Sequence, residues 1–326
     1  QVEPSDFSLL DTLPGLYDEP FADSSALPTY RVCELARESV TVALSGDGGD
    51  ENFIGYRRYR WHAYEEMVRR WLPQAVRAPV FGTLGSIYPK LDWAPKFLRA
   101  KSTFQALARN SIDAYLHSVG ILTSNIRKQL FSKEFLRELN GYTASEFFRE
   151  IAAAGPPCDR MQLVQYLDFK TYLPGDILTK VDRASMAHSL EVRVPLLDHE
   201  FVEWVARIPA NRKLVGREGK HCFKKAFEPH LPADVLYREK MGFGVPICEW
   251  FRGPLKQHLR DSLSSELLAD SGLFDMRSLQ RLVDEHQRGV KEHSAVLWAL
   301  LMFEQSLARI LDKRAAIPAI PGTGRE

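Results

Sequence analysis

Seven consecutive residues, Ser45-Gly46-Asp47-Gly48-Gly49-Asp50-Glu51, place three carboxylates among three glycines and a hydroxyl. Glycines at 46, 48 and 49 let the backbone approach a ligand closely and take positive φ. Such a loop can cradle phosphates with its main-chain N–H groups. Asp47, Asp50 and Glu51, however, would repel a bare polyphosphate. The two tendencies are reconciled if one acid holds Mg²⁺, which bridges phosphate oxygens. A surface turn capped by Asp is the competing reading, and spacing does not choose between them.

Other charged segments stand apart from this loop. Leu178–Asp198 (LTKVDRASMAHSLEVRVPLLD) sets Lys180, Asp182, Arg183, Glu191, Arg193 and Asp198 among apolar residues. Buried charges are costly unless paired, so an internal ion pair is the favoured reading of Glu191 and Arg193. Gly219-Lys220-His221 stands at the start of a predicted helix. A lysine there opposes the helix dipole, which an anionic ligand would explain, although an ordinary solvated lysine is the commoner case. Arg238–Pro246, with Gly242 and Gly244 flanking Phe243, reads as a hinged lid or as a loop pinned by its phenylalanine. The run RRYRWHAYEEMVRR (57–70) interleaves basic and aromatic residues, as an RNA-binding face would. Its single aromatic stripe and two glutamates favour a solvated amphipathic helix instead.

The elements that must position these residues follow from periodicity. Val40–Leu44 (VTVAL) reads as a fully buried strand running into the loop. Trp61, Tyr64, Val68 and Trp71 then recur at helical spacing, with one buried face. Strand, glycine-rich loop, helix is the order in which α/β proteins build anion sites. From 72 to 157 predicted helices alternate with Pro and Gly breaks and carry no visible chemistry, and Gly155-Pro156-Pro157 reads as a joint. Residues 159–190 look helical, interrupted at Leu173-Pro174-Gly175, and helical patterns continue at 198–208, 220–227 and 295–311. The expected organisation is a partial α/β core over 1–71, a helical insertion over 72–157, a helical remainder of the same domain over 158–314, and a frayed tail over 315–326.

Composition narrows the classes. With 45% apolar and 26% charged residues the chain is an ordinary globular protein, and 43 Lys+Arg against 42 Asp+Glu give no charge excess pointing to nucleic acid or an anionic membrane. No apolar run approaches the ~20 residues of a membrane span, and the first residues lack a secretion signal. Cys33, Cys158, Cys222 and Cys248 form no CxxC pair and read as reduced, mostly core thiols of a cytoplasmic protein. The nine histidines show no ligand spacing for zinc.

Taken together, these segments resemble the synthetase domain of glutamine-hydrolysing asparagine synthetases, in the N-type ATP pyrophosphatase group. The pattern ALSGDGGDE followed by F-x-G-Y-x-R-Y is met by Phe53, Gly55, Tyr56, Arg58 and Tyr59. The upstream D-E-P-F-A-D-S pattern is met by Asp18 to Ser24, with Pro28 beyond it. The K-V-D-R-x-S-M block matches Lys180 to Asp198 almost throughout, and G-K with R-K-x-G-F-G-V-P-I matches Gly219-Lys220 and Arg238 to Ile247, with Glu239 intruding. The likeness covers about Leu13–Arg60 and Leu173–Arg252, with a weaker echo at Leu297–Glu304. Asn52 and Ile54 depart from it, standing where the family usually has an apolar residue and a glycine.

The resemblance implies an α/β fold: the parallel-sheet layer of the adenine-nucleotide alpha-hydrolase type, with a large helical extension. It implies that ATP adenylates the side chain of aspartate and that ammonia from a glutaminase domain attacks the acyl-adenylate. Ser45 and Gly46 would contact the adenylate in an ATP-binding loop with Gly48 and Gly49. Asp50 would be a Mg²⁺ ligand, and Asp47 would orient or deprotonate the amine. Glu51 would order the pocket, and Lys220 would neutralise the leaving pyrophosphate. No nucleic-acid or membrane partner is implied, and a homodimer is one assembly it allows.

The family's S-G-G-x-D-S loop, which supplies a second Mg²⁺-binding aspartate, is not found in the sequence. Nor is the glutaminase domain. The expectation is a chain truncated at its N-terminus, catalytically silent by itself, with apolar surface uncovered near Val40–Leu44. Competing expectations are another amide-forming enzyme on this scaffold (a β-lactam synthetase, or a peptide-cyclising or sugar-modifying amidotransferase) and a non-catalytic binding module. The acidic Asp47 favours ammonia as nucleophile, because β-lactam synthetases carry a tyrosine there.

Overall fold

A computed structural model describes residue 7 and residues 9–89, 100–238 and 244–316, with side chains described through residue 311. Residues 239–243 of the expected lid and 317–326 of the expected tail lie outside the described residues. The described chain is mostly helical with a small parallel sheet. It forms two compact units, one from residues 1–31, 124–140 and 243–326, the other from 32–123 and 141–242. These borders do not follow positions 71 and 157.

The first unit is built on the helix Ser294–Ala316, which is packed by Leu9–Leu16, Ile247–Arg252, Lys256–Leu263, Glu266–Asp270 and Met276–Gln287. Over Ser294–Leu311 this helix is long and apolar enough, by length and composition, to cross a membrane, with mean hydropathy 1.3. Part of that apolar content lies in the unit's core, where Leu297, Trp298 and Leu301 are at most 1% exposed, whereas Ile310 and Leu311 are 45% and 42% exposed. A helix surrounded by other helices needs this composition.

The second unit holds β1 (Val42–Leu44) and β2 (Glu191–Arg193), paired in parallel with Val42 opposite Glu191 and Leu44 opposite Arg193. The expectation of a fully buried strand fails, because Leu44 is 74% exposed and Val42 38%. Side chains two apart share a sheet face, so Val42 and Leu44 stand with Glu191 and Arg193 on a solvated side. The ion pair expected to be internal is accordingly an exposed one, with Arg193 Nε 2.7 Å from Glu191 Oε1.

The helix Arg57–Trp71 has the expected period but the opposite orientation. Trp61, Tyr64 and Trp71 are exposed, and the buried stripe is Tyr59, His62, Glu66 and Arg69. Polar groups tolerate burial when they are paired. Glu66 accepts from Arg160 at 2.5 Å and from Arg69 at 2.7 Å, and Arg69 also donates to the Ala106 carbonyl at 2.9 Å.

The described part of 72–157 is helical, as expected. Asp159 caps the helix Arg160–Lys170, accepting from Met161 N and Gln162 N. The expected interruption at Leu173-Pro174-Gly175 is a π-helix, Leu173–Leu178, which runs into the helix Thr179–Met186. Proline removes an intrahelical donor there, and a wider turn absorbs the loss. Of the four cysteines only Cys33 is buried, and all are free, so the expectation of mostly core thiols is corrected. Cys158 is exposed because it lies in the turn before the Asp159 cap.

Candidate active site

Ser45 continues β1: its N–H donates to the Arg193 carbonyl at 2.8 Å. The chain then turns through Gly46–Gly48 into a short helix, Gly49–Phe53. The Ser45 hydroxyl donates to Asp47 Oδ2 at 2.5 Å, which fixes the first acid of the loop. The three glycines have different tasks. A Cβ on Gly46 would meet nothing within 4 Å, so its backbone is open to a ligand. Gly48 has φ 78°, and a Cβ there would lie 2.2 Å from Leu197. A Cβ on Gly49 would lie 3.0 Å from Leu196. Gly48 and Gly49 are buried and allow the loop to pack on the Pro195–Leu197 turn.

Lys220 caps the helix His221–Phe227 with φ 58°, a left-handed conformation. Its Nζ lies 3.3 Å from Asp50 Oδ2, so a carboxylate accounts for a cation at a helix start. Close backbone docking creates this pair. Lys220 N donates to the Phe53 carbonyl at 2.8 Å. A Cβ on Gly219 would stand 2.2 Å from the Ile54 carbonyl, and one on Gly55 would stand 2.1 Å from Asp50 Oδ1 and 2.4 Å from Lys220 Cε. Ile54, at the position where the resemblance leads one to expect glycine, is itself left-handed with φ 55°. A β-branched residue is strained there, and its 1% exposure shows what retains it: packing against Tyr59, Tyr115 and Val164.

Glu51 is 1% exposed and faces inward, away from solvent. Burial pushes its carboxyl up, while the Tyr56 hydroxyl, donating at 2.7 Å, opposes the rise. Thus Asp50 meets Lys220 with both side chains partly exposed, Asp47 is held by Ser45, and Glu51 is buried. Three residues that support this floor were not singled out from sequence. Gln165 Nε2 donates to the carbonyls of Glu51 and Asn52 at 2.6 and 3.0 Å. Asp168, fully buried, accepts from Arg58 Nη2 at 2.7 Å and from the Tyr59 hydroxyl. Tyr115 accepts from Arg58 Nε at 3.0 Å. The available signal was a glutamine and an aspartate three apart beside Val164 and Leu167, on the buried side of an otherwise ordinary helix.

In the other unit Cys248, His286 and Glu292 bring ligand atoms within 4.8 Å of one another. His286 Nδ1, however, accepts the His293 N–H at 3.1 Å. The other nitrogen of a neutral ring then carries the proton and has no lone pair for a metal.

The sequence model of the asparagine synthase family, a domain of the ATP pyrophosphatase type, matches residues 1–308. A putative glutamine-hydrolysing asparagine synthetase of Mycobacterium tuberculosis is 36% identical over 295 residues, which is 88% of this chain and 42% of the relative. One from Mycobacterium bovis matches to the same extent. Glutamine-hydrolysing asparagine synthetase 1 of Bacillus subtilis is 31% identical over 287 residues, 88% of this chain and 43% of its own length. The chain therefore spans less than half the length of these relatives, and its matched region contains the loop and Lys220. It belongs to the asparagine synthase family.

Proposed function

We propose that this chain forms the adenylating part of a ligase that converts aspartate to asparagine, using ATP and ammonia released from glutamine elsewhere in a longer polypeptide. The observation that carries the reading is the pairing of Lys220 with Asp50 at 3.3 Å, in a glycine-rich loop whose first acid, Asp47, is held by Ser45. Parallel strands are ordinarily covered on both faces, and the exposure of Val42 and Leu44 supports a site that works within a longer polypeptide. By the same reasoning the chain alone is silent and binds ATP weakly.

The chemistry runs in two steps. An aspartate side-chain oxygen attacks the α-phosphorus of ATP, pyrophosphate leaves, and a β-aspartyl-adenylate forms. Ammonia then attacks the acyl carbon, AMP leaves with the bonding pair, and the nitrogen loses a proton. Ser45 and Gly46 hold the adenylate. Asp47, fixed by Ser45, orients the ammonia and takes its proton. Lys220 transfers its charge from Asp50 to the departing pyrophosphate, where a focused cation stabilises developing charge. Glu51 stays buried and orders the loop. Asp50 offers hard oxygen donors, which fit Mg²⁺ as one carboxylate beside phosphate oxygens and water. Bound there, Mg²⁺ would neutralise phosphate charge.

The test is product analysis of the complete polypeptide given ATP, aspartate and ammonia. AMP and pyrophosphate are expected. ADP with orthophosphate would end the assignment.

A further inference from the structure

We propose that Arg58 is a positioning residue of this site: packed in the corner formed by Tyr56 and Tyr172 and anchored by Asp168, it keeps the Tyr56 hydroxyl on Glu51 and so holds Gly49–Phe53 where Asp47 and Asp50 can act. The inference rests on the adenylating reading of that loop.

The guanidinium packs beside two mutually perpendicular rings, 5.9 Å apart, and is bonded along its edge. Its Cζ lies 3.8 Å from the centre of the Tyr56 ring and 4.3 Å from that of Tyr172. Its Nη2 meets Asp168 Oδ2 at 2.7 Å and its Nε meets the Tyr115 hydroxyl at 3.0 Å. Only a planar fork satisfies stacking and two in-plane bonds together, so lysine does not replace it. Burial by itself would lower the arginine's proton affinity, but Tyr115, Asp168 and Tyr59 outweigh it and keep the cation charged.

Tyr56, packed against this guanidinium, directs its hydroxyl to Glu51 at 2.7 Å. Glu51 follows Asp50 in the same short helix, so a swing of its side chain would turn Asp50 against Lys220. No slack exists at that point, because a Cβ on Gly55 would already collide with both. The helix Arg160–Lys170 holds the loop by two routes. Gln165 grips the carbonyls of Glu51 and Asn52, and Asp168 grips the Glu51 side chain through Arg58 and Tyr56. The arrangement links the loop's acids to a helix through side chains that are buried or only partly exposed.

Hydrogen–deuterium exchange on this chain provides a readout independent of catalysis. In Arg58→Lys and Tyr56→Phe, amides of 45–56 should exchange about tenfold faster, while those of 294–311 stay at the parent rate. Should Arg58→Lys fail to fold, Tyr56→Phe decides alone. Unchanged exchange at 45–56 overturns the proposal, and so does uniform acceleration across both units, which would mean general destabilisation. In the complete polypeptide, Arg58→Lys should lower kcat for AMP formation about 10- to 100-fold, because small misplacements are expensive, with KM for ATP nearly constant. An unchanged kcat also overturns it. Faster exchange at 45–56 in a polypeptide whose parent forms no AMP would uphold the positioning role and sink the functional reading.

Discussion

The helix Ser294–Ala316 and the segment Gly49–Tyr56 both contribute buried residues to their units, and they do so by opposite means. The helix fills its unit's core with Leu297, Trp298 and Leu301, and its stability is a matter of area removed from water. The segment buries Glu51 and Asn52, each satisfied by a named partner, and keeps two non-glycine residues of its surroundings, Ile54 and Lys220, at positive φ. Strain and buried polarity persist only where neighbouring structure over-determines them. The lesson is that one region is built for stability and the other for geometry, and the two should respond differently to substitution.

The largest expected effect lies in the geometric region. Lys220→Ala in the complete polypeptide should lower turnover by about two to four orders of magnitude, the range for losing a focused electrostatic contact. Its unfolding midpoint should barely move, since the lysine side chain is 29% exposed. The stability region should reverse this pattern. Leu301→Ala should cost about 2–5 kcal/mol in urea unfolding through a cavity, with turnover per folded molecule unchanged.

An acid-dependent loss of similar size belongs to the second unit. Burial, together with Arg69 and Arg160 nearby, lowers His62 to about 4, although Glu66 at 3.6 Å pulls the other way. Burial prevails because Glu66 is already engaged by both arginines. The unfolded chain protonates this ring near 6.5, so the stabilisation is complete above that pH and is lost as pH falls toward 4. The difference amounts to about 3 kcal/mol at roughly 1.4 kcal/mol per unit. Urea titrations of the parent and His62→Gln across that window should converge at low pH.

Ile54→Gly sharpens the contrast further. Relief of left-handed strain is worth about 1–2 kcal/mol, but the loss of a buried isoleucine is worth more, so net destabilisation of about 1–3 kcal/mol is expected. A more stable variant would mean that strain outweighs packing in the loop. The smallest effect should come from Arg193→Ala. Its partner Glu191 is 56% exposed, and breaking such a pair should change the unfolding free energy by less than about 1 kcal/mol.

Much of this was legible in the sequence, and what was not has identifiable causes. The glycine-rich loop, Lys220 at a helix start and the long C-terminal helix announce themselves through spacing and composition. The Trp61/Tyr64/Trp71 stripe was assigned to the wrong side because hydrophobic period reveals a face but not which face finds a partner. Here polar Glu66 and Arg69 found theirs in Arg160 and the Ala106 carbonyl. β2 was hidden because three residues, two of them charged, carry no strand pattern. Gln165 and Asp168 escaped notice because their roles depend on residues more than 100 positions away. The division between partly exposed Asp47, Asp50 and Lys220 and buried Glu51 is likewise a product of folding.

The central claim, that a carboxylate oxygen attacks the α-phosphorus at this loop, is tested most directly by isotope transfer. Aspartate labelled with ¹⁸O in its side-chain carboxylate, supplied to the complete polypeptide with ATP and ammonia, should yield AMP carrying one labelled oxygen. Label appearing in orthophosphate, or unlabelled AMP accompanying labelled asparagine alone, would contradict the adenylate and the account built on it.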